Sequence, residues 1–416
     1  MKKSAVLVAI LSVLAIPLLV IGLEHKEEIP QPWTAPATNP YLEKFLNDYQ
    51  RFLQESLVET GVPGAAVAIV MDSTIVFLRG YGVRSTKTND SVDINTVFRL
   101  GSVSKGFASV LTGVVAQDSL LHWDDNVVQF LPEFSLRSKE QTQHLTIRHI
   151  LSHTTGLPYH TYTNLVESGK DLETLLGRLQ SVQLIAKEGE VYSYQNVAYS
   201  LIAEILRSAT EKSYEELIRE SIFTPLHMNT ATVTYDGINE NPNTALPHVY
   251  HRSGWTPVKI TNRYYNVAPA GGVNASIADM AEWLQALLGF REKIITRKTL
   301  DEVFHPIIRT PVRRYFSHWP SGKRAFYAMG WRILQYGADT VVYHGGSVNG
   351  YRSEIALNRT RGIGICVLTN ASSGFASQSI PEFFAMYGTY ADSIKFWAEE
   401  NQSFDSTLTE QTAADK

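Results

Sequence analysis

The sequence predicts an α+β fold, in which an antiparallel sheet is flanked by helices and carries a mostly helical lobe. Strand-forming patterns lie far apart in the chain, at residues 65–80 and 328–368, whereas residues from about 121 to 223 show mostly helical periodicity. Because the strand patterns lie at both ends, we expect both ends of the folded part to contribute to one sheet, with the helical lobe inserted between them. A chain of 416 residues is long enough for one large domain or two closely packed lobes.

The predicted elements follow in order along the chain. A helix is expected near residues 41–57, and a hairpin follows over 65–71 and 74–80, with Asp72-Ser73 as its turn. A stripe of apolar residues with a 3.6-residue period then marks a helix that begins near Ser102, formed by Val103, Phe107, Val110, Leu111 and Val114. The remaining predicted elements are helices over residues 146–152, 172–179, 198–210 and 214–222, strands over 328–335, 340–343, 353–358 and 362–368, and a helix over 380–397 that packs on the sheet.

The N-terminal residues differ in composition from the rest of the chain. Lys2 and Lys3 precede an apolar run over residues 5–23, which fits either a cleaved signal peptide or an uncleaved membrane anchor. The length of the run and the lack of a clear Ala-x-Ala site favour the anchor, with the lysines inside. In both cases we expect the folded domain to be exported, to the periplasm or the outer face of the membrane. We predict segment 1–23 as signal peptide or anchor, 24–40 as a linker, 41–398 as the folded domain and 399–416 as a disordered tail.

Composition narrows the classes of partner. The formal net charge of −4 argues against nucleic acid as a partner. Cys366 is the single cysteine, so the chain forms no intrachain disulfide. Its position in an apolar run at 364–368 predicts a buried strand residue.

Ser102-Val103-Ser104-Lys105 is the most informative chemical motif in the chain. A serine hydroxyl is a weak nucleophile until a base takes its proton, and a lysine three residues along a helix lies on the same face as the serine. A serine in the first helical turn also faces the positive end of the helix dipole, which stabilises an oxyanion. The spacing therefore predicts Ser102 as a nucleophile and Lys105, if burial keeps it neutral, as its base.

Two further motifs follow in order along the chain. Tyr194-Gln195-Asn196 lies about 90 residues after the serine motif, and His344-Gly345-Gly346, followed by Ser347, lies about 150 residues after that. Each motif alone is common in turns and loops. Together with the serine motif, in this order, they form a strong signal.

With these motifs the chain resembles the superfamily of serine β-lactamases and penicillin-binding proteins, in particular class C β-lactamases, D-alanyl-D-alanine carboxypeptidases and related esterases. The resemblance spans about residues 48–374. It implies a β-lactamase/transpeptidase-like fold with the site between two lobes. The supporting stretches are Thr-Val-Phe-Arg-Leu-Gly-Ser at 96–102, Leu-Ser-His-Thr-Thr-Gly-Leu-Pro at 151–158, Ala-Gly-Gly-Val-Asn-Ala-Ser at 270–276, Asp-Met-Ala at 279–281 and Asn-Gly-Tyr at 349–351.

The resemblance also implies roles at the site. Tyr194 would relay protons between Ser102 and the leaving group, and Asn196 would bind the substrate amide or Lys105. The backbone N–H groups of Ser102 and Ser347 would form the oxyanion hole. No metal ion and no organic cofactor would be needed.

His344 and Gly345 depart from the Lys-Thr-Gly motif that most β-lactamases and penicillin-binding proteins carry at this place. A neutral imidazole is a weaker anchor for a substrate carboxylate than a lysine, and Gly345 removes the threonine hydroxyl. We therefore expect an exported serine hydrolase of the carboxylesterase or D-amino-acid peptidase type. The alternative within the superfamily is a class C-like β-lactamase or penicillin-binding protein, so the substrate is a small-molecule ester, a D-peptide or a β-lactam. The sequence does not give the oligomeric state.

Two hypotheses come from other functional classes. One is a catalytically inactive binding protein that has kept the fold. The other is a zinc site, because His149 and His153 lie one helical turn apart, with His144 and His160 nearby. A zinc protease would need a glutamate at position 150, where this chain has Ile150, and we expect His153 to be a buried structural residue instead.

Overall fold

An eight-stranded antiparallel sheet organises the fold. The computed structural model describes residues 39–316, 319 and 323–414, with backbone only for 314–315 and 402–414. Its strands are β1 (Gly64–Met71), β2 (Thr74–Gly82), β7 (Ile308–Thr310), β8 (Lys323–Tyr327), β9 (Arg332–Tyr336), β10 (Asp339–Val348), β11 (Tyr351–Asn358) and β12 (Ile363–Thr369). Their order in the sheet is β2-β1-β12-β11-β10-β9-β8-β7, so that the first hairpin pairs with the last strand, as expected.

In the described part of the chain, four short strands lie outside this sheet and form two small ladders. β3 (Val97–Arg99) pairs with β6 (Asn274–Ser276), and β4 (His248–His251) pairs with β5 (Gly254–Pro257). The first ladder leads directly into the segment that carries Ser102.

The large sheet is covered on both faces, which explains why β1 is apolar at every position. Successive side chains of a strand point to opposite faces. Ala66, Ala68 and Val70 belong to the larger of the two main hydrophobic clusters, whereas Ala65 and Val67 belong to the other. Each face therefore packs against its own layer of helices.

One layer is formed by the first and last helices, α1 (Pro40–Thr60) and α16 (Gly374–Ala414). Asn39 caps α1, and Phe45 of α1 packs on Phe383 with ring centroids 5.5 Å apart. The predicted helices over 41–57 and 380–397 are confirmed. Residues 399–414, however, continue α16 instead of forming the predicted disordered tail. No glycine or proline lies between residue 399 and the C-terminus to end the helix.

The other layer is the helical lobe together with two longer helices, α2 (Ser104–Gln117) and α13 (Ile277–Leu288). Most helices of the lobe are short, of four to ten residues. The helices between α1 and α16 are α2 (Ser104–Gln117), α3 (Val127–Phe130), α4 (Lys139–His144), α5 (Ile147–Leu151), α6 (Thr163–Glu167), α7 (Leu172–Gly177), α8 (Asn196–Tyr199), α9 (Leu201–Thr210), α10 (Tyr214–Ile218), α11 (Tyr235–Asn239), α12 (Ala268–Gly271), α13 (Ile277–Leu288), α14 (Arg297–Val303) and α15 (Val312–Tyr315).

The structure corrects two predicted elements near the site. The strand predicted over 328–335 begins only at Arg332, because the chain turns at Gly330, whose φ is +75°. Strand β8, which precedes this turn, was not predicted. The helix predicted to begin near Ser102 begins at Ser104, and Ser102 lies in the preceding 3-10 turn, Gly101–Val103.

Cys366 lies buried in β12, as predicted. Residues 1–38, which include the predicted membrane segment and most of the predicted linker, lie outside the described part of the chain. Within the part described, no helix has both the length and the apolar character needed to cross a bilayer.

Candidate active site

The Ser102 segment is held from both sides. It follows β3, and Gly101 enters the 3-10 turn with a φ of +50°, a conformation that costs glycine little. On the other side, the Ser104 hydroxyl accepts a hydrogen bond from the Val273 N–H at 3.0 Å. Ser102 itself is only half-buried, so a substrate can reach it.

Lys105 is fully buried, one helical turn after Ser102. Its Nζ donates to Asn196 Oδ1 and to the Ala270 carbonyl oxygen, both at 2.8 Å. Burial, reinforced by the charge of Arg332, lowers the pKa of the Lys105 amine well below its usual value. A neutral amine that donates both hydrogens still has its lone pair, so Lys105 can accept a proton.

Tyr194 covers the lysine. Its side chain is 6% exposed, and the Lys105 Nζ lies 4.6 Å from the centre of its ring. On another side the ring packs on His153, with ring centroids 4.3 Å apart. The structure thus brings together Lys105 of the serine motif and Tyr194 and Asn196 of the Tyr-x-Asn motif.

Tyr192, the neighbouring tyrosine, occupies a different place. Its hydroxyl accepts a hydrogen bond from Arg332 Nη1 at 3.0 Å, and its ring packs on Tyr327, with centroids 5.2 Å apart. Tyr194, the tyrosine of the Tyr-x-Asn motif, is the one that lies over the lysine.

The His-Gly-Gly motif lies within strand β10 and passes beside the Ser102 turn. β10 pairs with β11 as far as Val348 but with β9 only as far as Tyr343. A Cβ atom at Gly346 would collide with the Leu100 carbonyl oxygen and lie 3.0 Å from Ser102 N. A Cβ atom at Gly101 would lie 2.9 Å from Ser347 N. The backbones of Ser102 and Ser347, the expected oxyanion pair, are therefore adjacent.

His344 is buried and bonded within the protein. Its Nδ1 lies 2.8 Å from the Gly345 carbonyl oxygen and its Nε2 lies 3.2 Å from the Tyr327 hydroxyl. Both contacts are satisfied by one neutral tautomer, in which Nδ1–H donates and Nε2 accepts. Burial, with Arg332 and Lys105, lowers the pKa of His344 well below its usual value. We predicted His344 as a substrate-binding residue, and the structure shows a buried ring whose two nitrogen atoms already have partners in the protein.

Sequence analysis missed Arg332. This residue begins β9, is 6% exposed and holds its guanidinium 5.7 Å from the centre of the Tyr194 ring and 5.4 Å from that of Tyr327. The signal that could have found it is an arginine inside the apolar stretch Ala-Met-Gly-Trp-Arg-Ile-Leu at 328–334. A charged side chain in such a stretch must be either paired or functional.

His153 was expected to be structural, and its burial agrees with that expectation. Its Nδ1 accepts a hydrogen bond from the Gln195 N–H at 3.2 Å, which holds the backbone next to Tyr194. Among the residues that the structure describes, the Nε2 atom of His153 has no hydrogen-bond partner. Burial lowers the pKa of His153 well below its usual value, and the charge of Lys105 is the second largest cause.

The geometry does not favour the zinc hypothesis. His149 turns its Nδ1 to Thr146, at 3.1 Å from Oγ1, whereas His153 turns its Nδ1 to Gln195. Among the residues described by the structure, no group of three or more potential metal ligands comes together.

Comparison with known proteins identifies the family. Residues 49–381 match the β-lactamase family. The chain belongs to this family. Its sheet and flanking helices form the β-lactamase/transpeptidase fold, which confirms the fold class and the resemblance stated above.

The individual relatives are distant. The chain is 26% identical to the unguisins hydrolase ungD' of Aspergillus campestris over 341 residues, which cover 79% of this chain and 62% of that protein. It is 25% identical to the protein flp of Staphylococcus aureus over 345 residues, 81% of this chain and 66% of flp. The chain therefore spans less than two thirds of these relatives. Among solved structures, an octameric penicillin-binding protein homologue from Pyrococcus abyssi matches with a TM-score of 0.70 at 25% identity, covering 83% of this chain and 76% of that one.

Proposed function

We propose that this protein is an exported serine hydrolase that cleaves an ester or amide through an acyl-Ser102 intermediate. The observation that carries the proposal is the environment of Lys105, a fully buried amine bonded to Asn196 and covered by Tyr194, one turn after a half-buried serine. A buried amine without a compensating carboxylate is costly unless it is neutral, and a neutral amine is a base.

The chain's own groups suffice for the reaction. The Lys105–Tyr194 pair takes the proton of the Ser102 hydroxyl as Oγ attacks the carbonyl carbon, and the resulting oxyanion is bound by the N–H groups of Ser102 and Ser347. The pair returns the proton to the leaving alcohol or amine as the bond to carbon breaks. In the second half, the pair takes a proton from water as the water oxygen attacks the acyl carbon. It then returns this proton to Ser102 Oγ as the Oγ–C bond breaks, which releases the carboxylic acid and regenerates the serine.

Within this reaction class we favour a carboxylesterase or a D-amino-acid peptidase. The neutral, internally bonded His344 supplies no positive charge for a carboxylate, and Gly345 supplies no hydroxyl. The specific alternative is a class C-like β-lactamase or penicillin-binding protein. The relative called unguisins hydrolase supports hydrolytic activity, and the penicillin-binding protein homologue supports the alternative.

Labelling of Ser102 tests the reaction class. Full-length protein in detergent is treated with a fluorophosphonate and its intact mass is measured, beside Ser102→Ala and the control Ser168→Ala, which changes an exposed serine of the lobe. We expect a single adduct in the wild type and the control and none in Ser102→Ala. No adduct in any of the three would overturn the proposal and favour the inactive binding protein.

A substrate panel then separates the subclasses. Nitrophenyl esters, peptides ending in D-alanine and a chromogenic cephalosporin are compared by kcat/KM. We expect kcat/KM for an ester or for the D-peptides to exceed kcat/KM for the cephalosporin. Rapid cephalosporin turnover would favour the β-lactamase alternative, and a long-lived cephalosporin adduct on Ser102 would favour a penicillin-binding protein.

Export is part of the proposal and is supported by the apolar run at residues 5–23 after Lys2 and Lys3. The test is the location and intact mass of the protein in its own host. Outward-facing protein with the full mass indicates an anchor, and a mass lacking the first segment indicates a signal peptide. Recovery of the protein inside the cell would contradict export.

A further inference from the structure

Arg332 is the charged group that lies deepest beside the Lys105–Tyr194 pair. Its side chain is 6% exposed, and Nη1 donates to the Tyr192 hydroxyl at 3.0 Å. The guanidinium also lies 5.7 Å from the centre of the Tyr194 ring and 5.4 Å from that of Tyr327, so hydrogen bonding and two aromatic faces fix its position. An arginine in such a site keeps its charge at any pH at which the protein is folded.

The other groups around the pair do not supply a fixed positive charge. Burial first, and then nearby cations, lower the pKa values of Lys105, His153 and His344. Glu354, a buried carboxylate on β11, is already held by Arg352 and by the Tyr343 hydroxyl, at 2.5 Å each. The titratable and charged groups that face the pair are Arg332 of β9, His344 of β10, Tyr327 of β8, His153 and His160 beyond α5, Tyr159 and Tyr199. Tyr192 lies behind them, against His153 and Arg332.

We propose that Arg332 is a positioning residue whose fixed positive charge keeps the Lys105–Tyr194 pair poor in protons at neutral pH, so that the pair can accept the proton of Ser102. The inference rests on the proposed function and adds the residue that controls its base. A nearby positive charge disfavours a protonated amine and favours a phenolate, so it acts in the same direction on both members of the pair. Arg332 thus supplies a fixed positive charge near the reacting groups in a chain that has His344 where most of the superfamily has a lysine.

The test is the pH dependence of Ser102 labelling by the fluorophosphonate, measured as a second-order rate constant on the full-length protein. Arg332→Met and Arg332→Gln remove the charge, the latter keeping a donor for Tyr192, and Arg332→Lys keeps the charge. The matched control is Arg324→Met, which removes an exposed arginine from the neighbouring strand of the same hairpin. Circular dichroism and thermal melting check that each variant is folded.

We expect the ascending limb of the pH profile to move upward by about one to two pH units in the two variants without charge. This is the size expected for a unit charge about 6 Å away at an effective dielectric constant of about 20. The limb of Arg332→Lys should stay within about half a unit of the wild type, because the charge is kept. The limb of Arg324→Met should not move.

Several outcomes would overturn the inference. An unchanged limb in Arg332→Gln, with lower rates at every pH, would show that Arg332 acts only through packing. An equal shift in Arg332→Lys would show that charge is not the cause. Failure of the proposed function looks different, since the wild type would then label at no pH. If Arg332→Met does not fold, Arg332→Gln and Arg332→Lys still decide between these outcomes.

Discussion

Burial away from solvent determines which side chains of this site carry charge. Lys105, His153 and His344 are all fully buried, and burial is the main cause of the lowered pKa of each. Each of these groups is a base when neutral, so the same burial that costs stability also prepares the site to accept protons. Arg332 is almost as deeply buried and cannot respond in this way, because its guanidinium holds its proton.

The amine of Lys105 can be tested by a substitution that preserves its hydrogen bonds. Lys105→Gln can still donate to Asn196 and the Ala270 carbonyl but offers no base, so Ser102 labelling should slow by about 10²- to 10⁴-fold. The control Lys139→Gln changes an exposed lysine of α4 and should label like the wild type. A labelling rate of Lys105→Gln within about threefold of the wild type would exclude Lys105 as the base.

The two tyrosines of the Tyr-Ser-Tyr segment provide a matched pair. Tyr194→Phe removes the hydroxyl of the ring that covers Lys105, and we expect Ser102 labelling to slow by about 10²-fold or more. Tyr192→Phe makes the same chemical change two residues away, where the hydroxyl accepts a hydrogen bond from Arg332, and should slow Ser102 labelling by less than about tenfold. Equal losses in both variants, or a larger loss in Tyr192→Phe, would contradict the assignment of Tyr194.

Some site residues could be predicted from sequence because the groups that act together are only two or three residues apart in the chain. Ser102 and Lys105 are one turn apart, and Tyr194 lies two residues before Asn196, the first residue of α8. Arg332 has no such local signature, because its hydrogen-bond partner Tyr192 is 140 residues away in the chain. Contacts of this kind exist only after the lobes have packed together.

Strand β10 combines two tasks, since it belongs to the central sheet and also lies against the Ser102 turn. The close approach requires glycine at position 346, where a side chain would meet the Leu100 carbonyl and the Ser353 hydroxyl. Ser353 in turn donates to the Leu100 carbonyl oxygen at 2.5 Å. Gly346 therefore sets the distance between the strand and the turn that carries the nucleophile.

Gly346→Ala tests this packing. The added methyl group must push β10 away from the turn, so we expect slower Ser102 labelling and a free energy of unfolding lower by about 1–3 kcal/mol, as for other overpacked sites. The measurements are the labelling rate and a urea unfolding curve. Gly177→Ala adds the same methyl at a helical glycine where, apart from its own helix, no atom of the described residues lies within 4 Å of the new Cβ, so it should not slow labelling. Labelling of Gly346→Ala at the wild-type rate would show that the strand and the turn are not in tight contact.

The errors in the predicted elements have a common physical origin. Apolar sequence continued through residues 328–331, so a strand was predicted where the chain makes a buried turn at Gly330 beside the Lys105 carbonyl. Periodicity reports burial, and a buried turn is as apolar as a buried strand. The bounds of the strands predicted over 353–358 and 362–368 agree with β11 and β12 within two residues. Each segment has an apolar centre, Ile-Ala-Leu at 355–357 and Ile-Cys-Val-Leu at 365–368, and turn residues separate the two.

The molecule as a whole is organised by a sheet that carries a separate hydrophobic cluster on each face. The site lies on one side, among α2, α8 and the loop after α5, whereas α1 and α16 cover the other side. Both helices of that second layer come from the ends of the described chain, and the Tyr49 hydroxyl of α1 donates to the Ser379 carbonyl of α16. Closing the fold thus requires contacts between residues more than 300 positions apart, which sequence analysis predicted only at the level of topology.

Burial of neutral histidines makes the stability of the whole molecule depend on pH. His153 and His344 have pKa values well below the usual 6.5 in the folded state, because burial disfavours their charged forms. Below about pH 6.5 the unfolded chain therefore binds more protons than the folded protein, and stability falls as pH falls. Each histidine contributes up to about 1.4 kcal/mol per pH unit between its unfolded and folded pKa values. Burial also lowers the pKa of His149 and His248, which act in the same direction.

We expect the free energy of unfolding, measured in urea at pH 7.5, 6.5 and 5.5, to decrease below pH 6.5. His153→Gln should be less stable than the wild type at pH 7.5, because packing around the imidazole is lost, but its stability should fall less steeply with pH. His251→Gln, which changes an exposed histidine, should keep the wild-type slope. If His153→Gln and the wild type lost stability in parallel, His153 would have to bind its proton equally well in the folded and unfolded states, and a fully buried neutral imidazole beside Lys105 would be ruled out.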